Sequence, residues 1–172
     1  MRSIIQTSML IATLVLLFSA CETREIPPIG DVPSKLEGIN GNWILTSIKR
    51  TDKLACVNRP AELDISSFFI RNDAPSFAFD SDAKTFTYSS GDAPITLLPD
   101  GGSWRFINET YPEQADLYPE KVGFTPAGGT EVILDLLKPI RPVDPTLELE
   151  VTFMSDGKEA TGYKMVFERK PN

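Results

Sequence analysis

The sequence predicts an all-β domain of eight or more short antiparallel strands with little helix, a meander that closes into a barrel or folds as a sandwich. Apolar and polar residues alternate with period two through most of the chain after Gly41, so each run turns one face to a core and one to solvent. Gly and Asp punctuate the runs where hairpins need left-handed backbone angles. No segment sustains a helical period beyond a turn or two, and no internal repeat interrupts the pattern.

The chain opens on Met1 and Arg2, a short basic start, followed by an apolar run over residues 4–18 and the small residues Ser19 and Ala20 before Cys21. The run is short for a spanning helix, which wants roughly 20 apolar residues, and Gln6, Thr7 and Ser8 interrupt it. It reads as a secretory signal covering residues 1–20. Leu17-Phe18-Ser19-Ala20-Cys21 resembles the lipobox of bacterial lipoproteins, with Phe18 where that family usually has Leu. The resemblance implies that the Cys21 thiol carries diacylglycerol and becomes the first residue after cleavage. The alternative is a disulfide between Cys21 and Cys56, the only cysteines, in an oxidising compartment. Small residues followed by an abrupt polar turn at Glu22 favour the processing site.

Residues 21–37 then read as the lipidated cysteine and a tether, with Pro27, Pro28 and Pro33 among charged and polar residues. At about 3.1 Å per residue in a polyproline-like conformation, the tether reaches up to roughly 50 Å. The barrel domain is expected over residues 38–172.

Its strands are marked by Phe77/Phe79, Phe86/Tyr88, Trp104/Phe106, Val122/Phe124, Leu147 through Leu149 and Val151 to Phe153, and Tyr163 through Met165 to Phe167. Asp80-Ser81-Asp82-Ala83, Asp100-Gly101-Gly102, Pro126-Ala127-Gly128-Gly129 and Ser155-Asp156-Gly157-Lys158 supply turns. Short helical pieces fit residues 60–67 and 113–118. Bulky residues including Phe68, Phe77, Phe124, Phe153 and Phe167 point inward in this reading and crowd a small barrel.

With 17 basic and 24 acidic residues the net charge is −7, and loss of Arg2 with the leader makes it −8. Such a surface repels nucleic acid and anionic headgroups. Histidine is absent, which removes the commonest general base and the commonest ligand for zinc, copper and nickel. Cys56 then reads as a small buried hydrophobe. No cofactor, metal or catalytic group is expected.

The chemical constellations each have a plainer reading. Ser81/Lys84 and Ser155/Lys158 match Ser-x-x-Lys, but they fall in turns, which do not present a lysine to a serine as a helix does. Glu148 and Glu150 share a strand face at roughly 7 Å, within the range of glycosidase carboxyl pairs, yet that face is the polar one and reads as solvated charge. Asp80 and Asp82 resemble the start of a calcium loop, but Lys84 takes the next ligand position. Asn108-Glu109-Thr110 fits a glycosylation sequon that an exported bacterial protein seldom uses. Residues 107–120 make a long connection that carries Tyr111 and Tyr118. The two rings are candidates to stack on a sugar or apolar ligand, or else fold back over the barrel edge.

Gly41-Asn42-Trp43 opens the first strand and Phe167-Glu168-Arg169 closes the last. The pair resembles the lipocalin-type barrel, in which a Gly-x-Trp tryptophan near the floor packs against an arginine of the closing strand. With the lipobox, the Pro-rich tether and Phe124-Thr125-Pro126-Ala127-Gly128-Gly129 between two strands, nearly the whole chain looks like the uncharacterised lipocalin-like lipoproteins of Bacteroidota. That resemblance implies a lipocalin-like barrel tethered to the outer membrane, Trp43 and Arg169 in structural roles, no transferred catalytic residue, and nutrient capture at the cell surface. Glu22-Thr23-Arg24-Glu25 is acidic, as surface-export signals in that phylum tend to be, without a continuous acidic run. Two functions are expected: non-catalytic binding of a small apolar or saccharide ligand at the barrel mouth or the 107–120 connection, or an interaction subunit of an outer-membrane complex with a filled barrel.

Overall fold

The structure, a computed structural model, describes residues 34–54 and 61–171. The leader, Cys21, almost all of the tether and Cys56 lie outside the described residues. Among the described residues nine strands form one antiparallel sheet: β1 (Gly41–Asp52), β2 (Ala61–Asp64), β3 (Ser76–Asp80), β4 (Thr85–Ser89), β5 (Gly101–Ile107), β6 (Lys121–Pro126), β7 (Val132–Leu136), β8 (Thr146–Ser155) and β9 (Lys158–Arg169). The order is β2-β1-β3-β4-β5-β6-β7-β8-β9, and β1 also pairs with β9 from Trp43↔Arg169 to Asp52↔Thr161. That seam closes β1 and β3 to β9 into an eight-stranded barrel.

β2 stands outside the ring. It pairs with Lys49 to Asp52 of β1, while β3 takes Gly41 to Ile44 on the same edge. Between those partners the Ile48 backbone would be left open, and Ser66 fills the gap. Its hydroxyl accepts from the Ile48 N–H at 3.0 Å and donates to the Ile48 carbonyl at 3.3 Å. Two short helices among the described residues accompany the sheet, α1 (Lys35–Ile39) and α2 (Ser66–Phe69); Ser66 begins α2, which packs on β1 and buries Phe69. The helical piece expected at 60–67 is therefore displaced: Ala61–Asp64 is captured as strand by the long edge of β1. The piece expected at 113–118 is a single 3-10 turn over Pro112–Gln114.

β8 and β9 meet in a two-residue turn, with Ser155 paired to Lys158 and left-handed φ at Asp156 (51°) and Gly157 (73°). A primed hairpin turn requires both. On β1 a bulge between Leu45 and Ser47 resets the alternation, so Trp43, Leu45 and Ile48 are all buried.

The interior is filled with rings. Phe77 has ring centres of Phe79, Phe86, Tyr88, Phe124 and Phe167 at 4.9–6.3 Å. An eight-stranded barrel leaves an interior just wide enough for side chains, and these occupy it. Two residues expected inside are exposed instead. Phe68 sits on α2 rather than in a strand, and Phe153 lies on the inward face of β8 but beyond the core.

The end at which β1 begins is closed by α1 (Lys35–Ile39), N-capped by the Ser34 hydroxyl, which accepts from the Leu36 N–H at 3.1 Å. Ile39 is fully buried, and the Trp43 Nε1–H donates to its carbonyl at 2.8 Å. The Arg169 guanidinium lies 4.4 Å over the Trp43 ring and donates to the carbonyls of Gly38 and Asn40 at 2.7 Å each. Gly38 is needed for this seat, since a Cβ there would stand 2.6 Å from Ile140 Cγ2. The fold thus takes in Ser34 to Glu37, the last four residues of the expected tether.

The same alternation sends charge outward. Lys164 meets Glu62 at 2.7 Å, Arg105 meets Glu131 at 2.8 Å, and Lys121 meets Glu109 at 2.5 Å. Rings inside and ion pairs outside is the reverse of a membrane-spanning barrel, which carries an apolar band on its outer face.

Candidate binding surfaces

The alternation that packs the core also runs out of it. At the mouth, opposite α1, β8 and β9 extend beyond the packed rings: Tyr163 still packs on the edge of the core, Thr161 is half-buried and Phe153 is exposed. With Ile95, Thr96 and Leu97 of the β4–β5 connection these residues line an open dish of about 360 Å³. The Phe153 and Tyr163 rings meet edge to face at 5.8 Å. Strand register sets Arg50 between Leu63 and Tyr163 on the inward side of the rim, and it has no ion partner among the described residues. Ile95 and Phe153 of the dish are exposed, as are Leu54, Leu63, Phe68 and Met154 in the strand ends and connections toward this end of the barrel, and Arg71 lies 5.7 Å from the Phe68 ring centre. Edge strands and loops alone do not require so many large apolar residues at one end of a barrel.

Tyr111 and Tyr118 sit at the opposite, α1 end. Neither ring folds back: they are 54% and 64% exposed. Asn108 shapes their connection from a buried position, with Oδ1 accepting from the N–H groups of Thr110 and Tyr111 and Nδ2 donating to the Tyr118 carbonyl at 2.6 Å. Tyr118 borders a groove of about 250 Å³ with Leu117, Pro119, Pro139, Ile140 and Lys35. Tyr111 is not part of it, so the structure does not bring the two tyrosines into one pocket.

A third cleft, of about 430 Å³, lies on the outer face of β1, β3 and β4 among Asn42, Ser76, Thr87 and Ser89, with Asp73 and Lys170 at its edges. It offers hydroxyls and an amide but no exposed ring on which a ligand could stack.

The carboxylates and Lys84 singled out from sequence have other partners. Glu148 faces Lys138 at 3.6 Å, whereas Glu150 pairs with Lys53 at 3.1 Å. Glu150 is only 7% exposed, which corrects its reading as solvated charge. Lys53 also meets Glu159 at 3.3 Å and the Thr152 hydroxyl at 2.8 Å. Burial pushes the Lys53 ammonium down, but hydrogen bonds and charge from Glu150 and Glu159 outweigh it, so its pKa lies above the ordinary lysine value. Gly162 makes room for the pair, because a Cβ there would come closer than 3.0 Å to both Glu150 and Lys53. A glycine inside an otherwise regular strand was the available signal for this close approach.

Lys84 is held over the Trp104 ring at 4.7 Å and 3.5 Å from Asp116. Asp80 Oδ1 accepts the N–H groups of Asp82 and Ala83 at 2.9 Å each, an ordinary side-chain-closed turn. Among the described residues no group of His, Cys, Asp and Glu is arranged to hold a metal ion.

Neither a protein family, nor a curated protein, nor a solved structure matches this chain. The geometry of its own surfaces therefore carries the functional argument.

Proposed function

We propose that this chain is an exported lipoprotein, anchored through Cys21 to the outer membrane, whose filled barrel is a non-catalytic docking domain with its binding surface at the mouth. The observation that carries this reading is the contrast between a ring-filled interior and a rim where large apolar side chains are exposed. Phe153, Tyr163, Phe68, Met154, Arg50 and Arg71 make the rim rich in aromatic, Met and Arg side chains. Those residue types concentrate in the energetic centres of protein interfaces. The absence of histidine from the whole chain supports a role without acid–base chemistry.

A second reading keeps the same site with a small ligand. The dish volume of about 360 Å³ lies at the low end of small-molecule sites. The Phe153 ring beside the Thr96 and Thr161 hydroxyls suits the face of a sugar or an amphiphile. The filled core favours protein docking, because a shallow dish encloses little of a small ligand.

A photoreactive amino acid placed at Phe153, or at Ile95, tests the reading in living cells, with Lys49 on the outer face as the control position. A discrete protein adduct from the mouth positions and none from Lys49 is the expected result. Equal labelling from all three would remove the mouth as the site. The anchor is tested separately by labelled palmitate, which should enter the native chain and not Cys21→Ala.

A further inference from the structure

The exposed apolar residues at the α1 end form a second surface that the docking site does not use. Tyr111, Leu117, Tyr118, Leu137 and Val143 are exposed there, Val143 to 84%. They belong to the β5–β6 and β7–β8 connections, which face each other across the groove between Leu117, Tyr118, Pro119 and Pro139, Ile140. Lys35 and Glu120 line that groove at its rim and Arg141 follows Ile140; neither Lys35 nor Arg141 has an ion partner among the described residues. The chain enters the barrel at this end, at Ser34 and α1.

We infer that this end of the barrel rests on the bilayer surface, with Leu117, Tyr118 and Val143 dipping into the headgroup region and Lys35 and Arg141 meeting lipid phosphates. The inference relies on the proposed anchor at Cys21. From Cys21 to Ser34 the chain can reach about 40 Å at about 3.1 Å per residue. Turning the barrel over to bring its mouth to the lipid would use most of that reach. A 12-residue strand such as β1, tilted as in small barrels, stands roughly 30 Å tall. Attachment beside α1 therefore favours that end as the membrane-facing one.

The chemistry agrees with the placement. Tyrosine is enriched at membrane–water interfaces, where its ring is buried and its hydroxyl stays wet. The net charge, −7 for the whole chain and −8 once Arg2 leaves with the leader, opposes general adsorption to anionic lipid. Contact is therefore confined to a patch where apolar residues stand beside cations that have no ion partner among the described residues.

The acylated full-length protein, reconstituted in phosphatidylethanolamine–phosphatidylglycerol vesicles with a diazirine-bearing phospholipid, provides the test. Cross-links mapped by mass spectrometry should fall on residues 111–118 and 137–143 at least fivefold more often than on Ile95, Phe153 or Met154. The variant Leu117→Ser, Tyr118→Ser, Val143→Ser should lose most of them while remaining folded, since all three side chains are exposed. Acylated protein with cross-links spread evenly, or concentrated at the mouth, would overturn the inference. Protein–protein adducts through residues 111–118 in place of lipid adducts would overturn it too and assign the patch to a second copy. The intact mass reports acylation independently, so a failed anchor is distinguished from an anchored domain that meets the bilayer differently.

Discussion

Replacing Arg169 with alanine removes the clasp that seats α1 under the barrel, and the structure allows the loss to be worked out. The guanidinium makes two bonds of 2.7 Å to the carbonyls of Gly38 and Asn40 and lies 4.4 Å from the Trp43 ring. A hydrogen bond to a charged group contributes about 1.5–3 kcal/mol, and a cation over an indole about 0.5–2 kcal/mol. The Asn40 contact is solvent-exposed, so its carbonyl finds water when the arginine leaves. The three contacts also share one side chain and do not add in full. A loss of about 3 kcal/mol follows, or a fall in Tm of about 10–15 °C for a domain of this size. Urea unfolding and near-ultraviolet circular dichroism, which reads the packing of Trp43, would measure both the loss and its location. Arg169→Lys should restore less than half of it, because an ammonium cannot bridge two carbonyls in one plane and stack at once. A Tm within 3 °C of the native protein for Arg169→Ala would refute the clasp.

Gly162→Ala should displace the Glu150 carboxylate from Lys53 and destabilise the barrel by about 2 kcal/mol. In a Glu150→Ala background the same change should have almost no effect, which a double-mutant cycle would read. Burial, and then the charge of Asp100, push the Tyr88 phenol up to about 12 from 10. Its folded-state pKa is raised, so this contribution is intact below pH 10 and is lost as pH climbs from 10 to 12. Tyr88→Phe should show a shallower fall of Tm across that window than the native chain, by the equivalent of about 2 kcal/mol. Identical slopes would mean that Tyr88 is not desolvated.

The fold was legible because one signal repeated. Alternation at Phe77/Phe79, Trp104/Phe106 and Tyr163/Met165/Phe167 is set by which side chains face a common core, and that is a local property of each strand. Closure of the ring by β1 and β9 was accessible only through the likeness of the two terminal motifs to lipocalin-type barrels, since pairing across more than 100 residues leaves no local mark. Alternation failed where it outran its cause. Phe153 continues the inward face of β8, but the core beneath it has ended, so the residue becomes part of the rim. Glu150 sits on the outward face yet is covered by Lys53 from the end of β1, a neighbour 97 positions away in sequence (150 − 53). The sequence pointed to a barrel mouth as one place for a ligand but not to its residues, because they are far apart in the chain: Ile95 in a loop, and Phe153 and Tyr163 on a hairpin. Tyr111 and Tyr118 were noticed for the length of their connection, but strand direction places that connection at the α1 end.

The central claim is that the working surface is the mouth of a solid barrel, and the affinity of the mouth for the partner captured from Phe153 tests it most directly. Phe153→Asp and Ile95→Asp place a carboxylate on an apolar contact outside the buried core; Ile95→Asp should keep the native Tm, and Phe153→Asp, which gives up the edge-to-face contact with Tyr163, should lower it by no more than about 5 °C. A loss of affinity of tenfold or more in each, about 1.4 kcal/mol, with Tyr118→Ser at the opposite end unchanged, is the predicted result. Native affinity in both mouth variants, or a loss confined to Tyr118→Ser, would contradict the account.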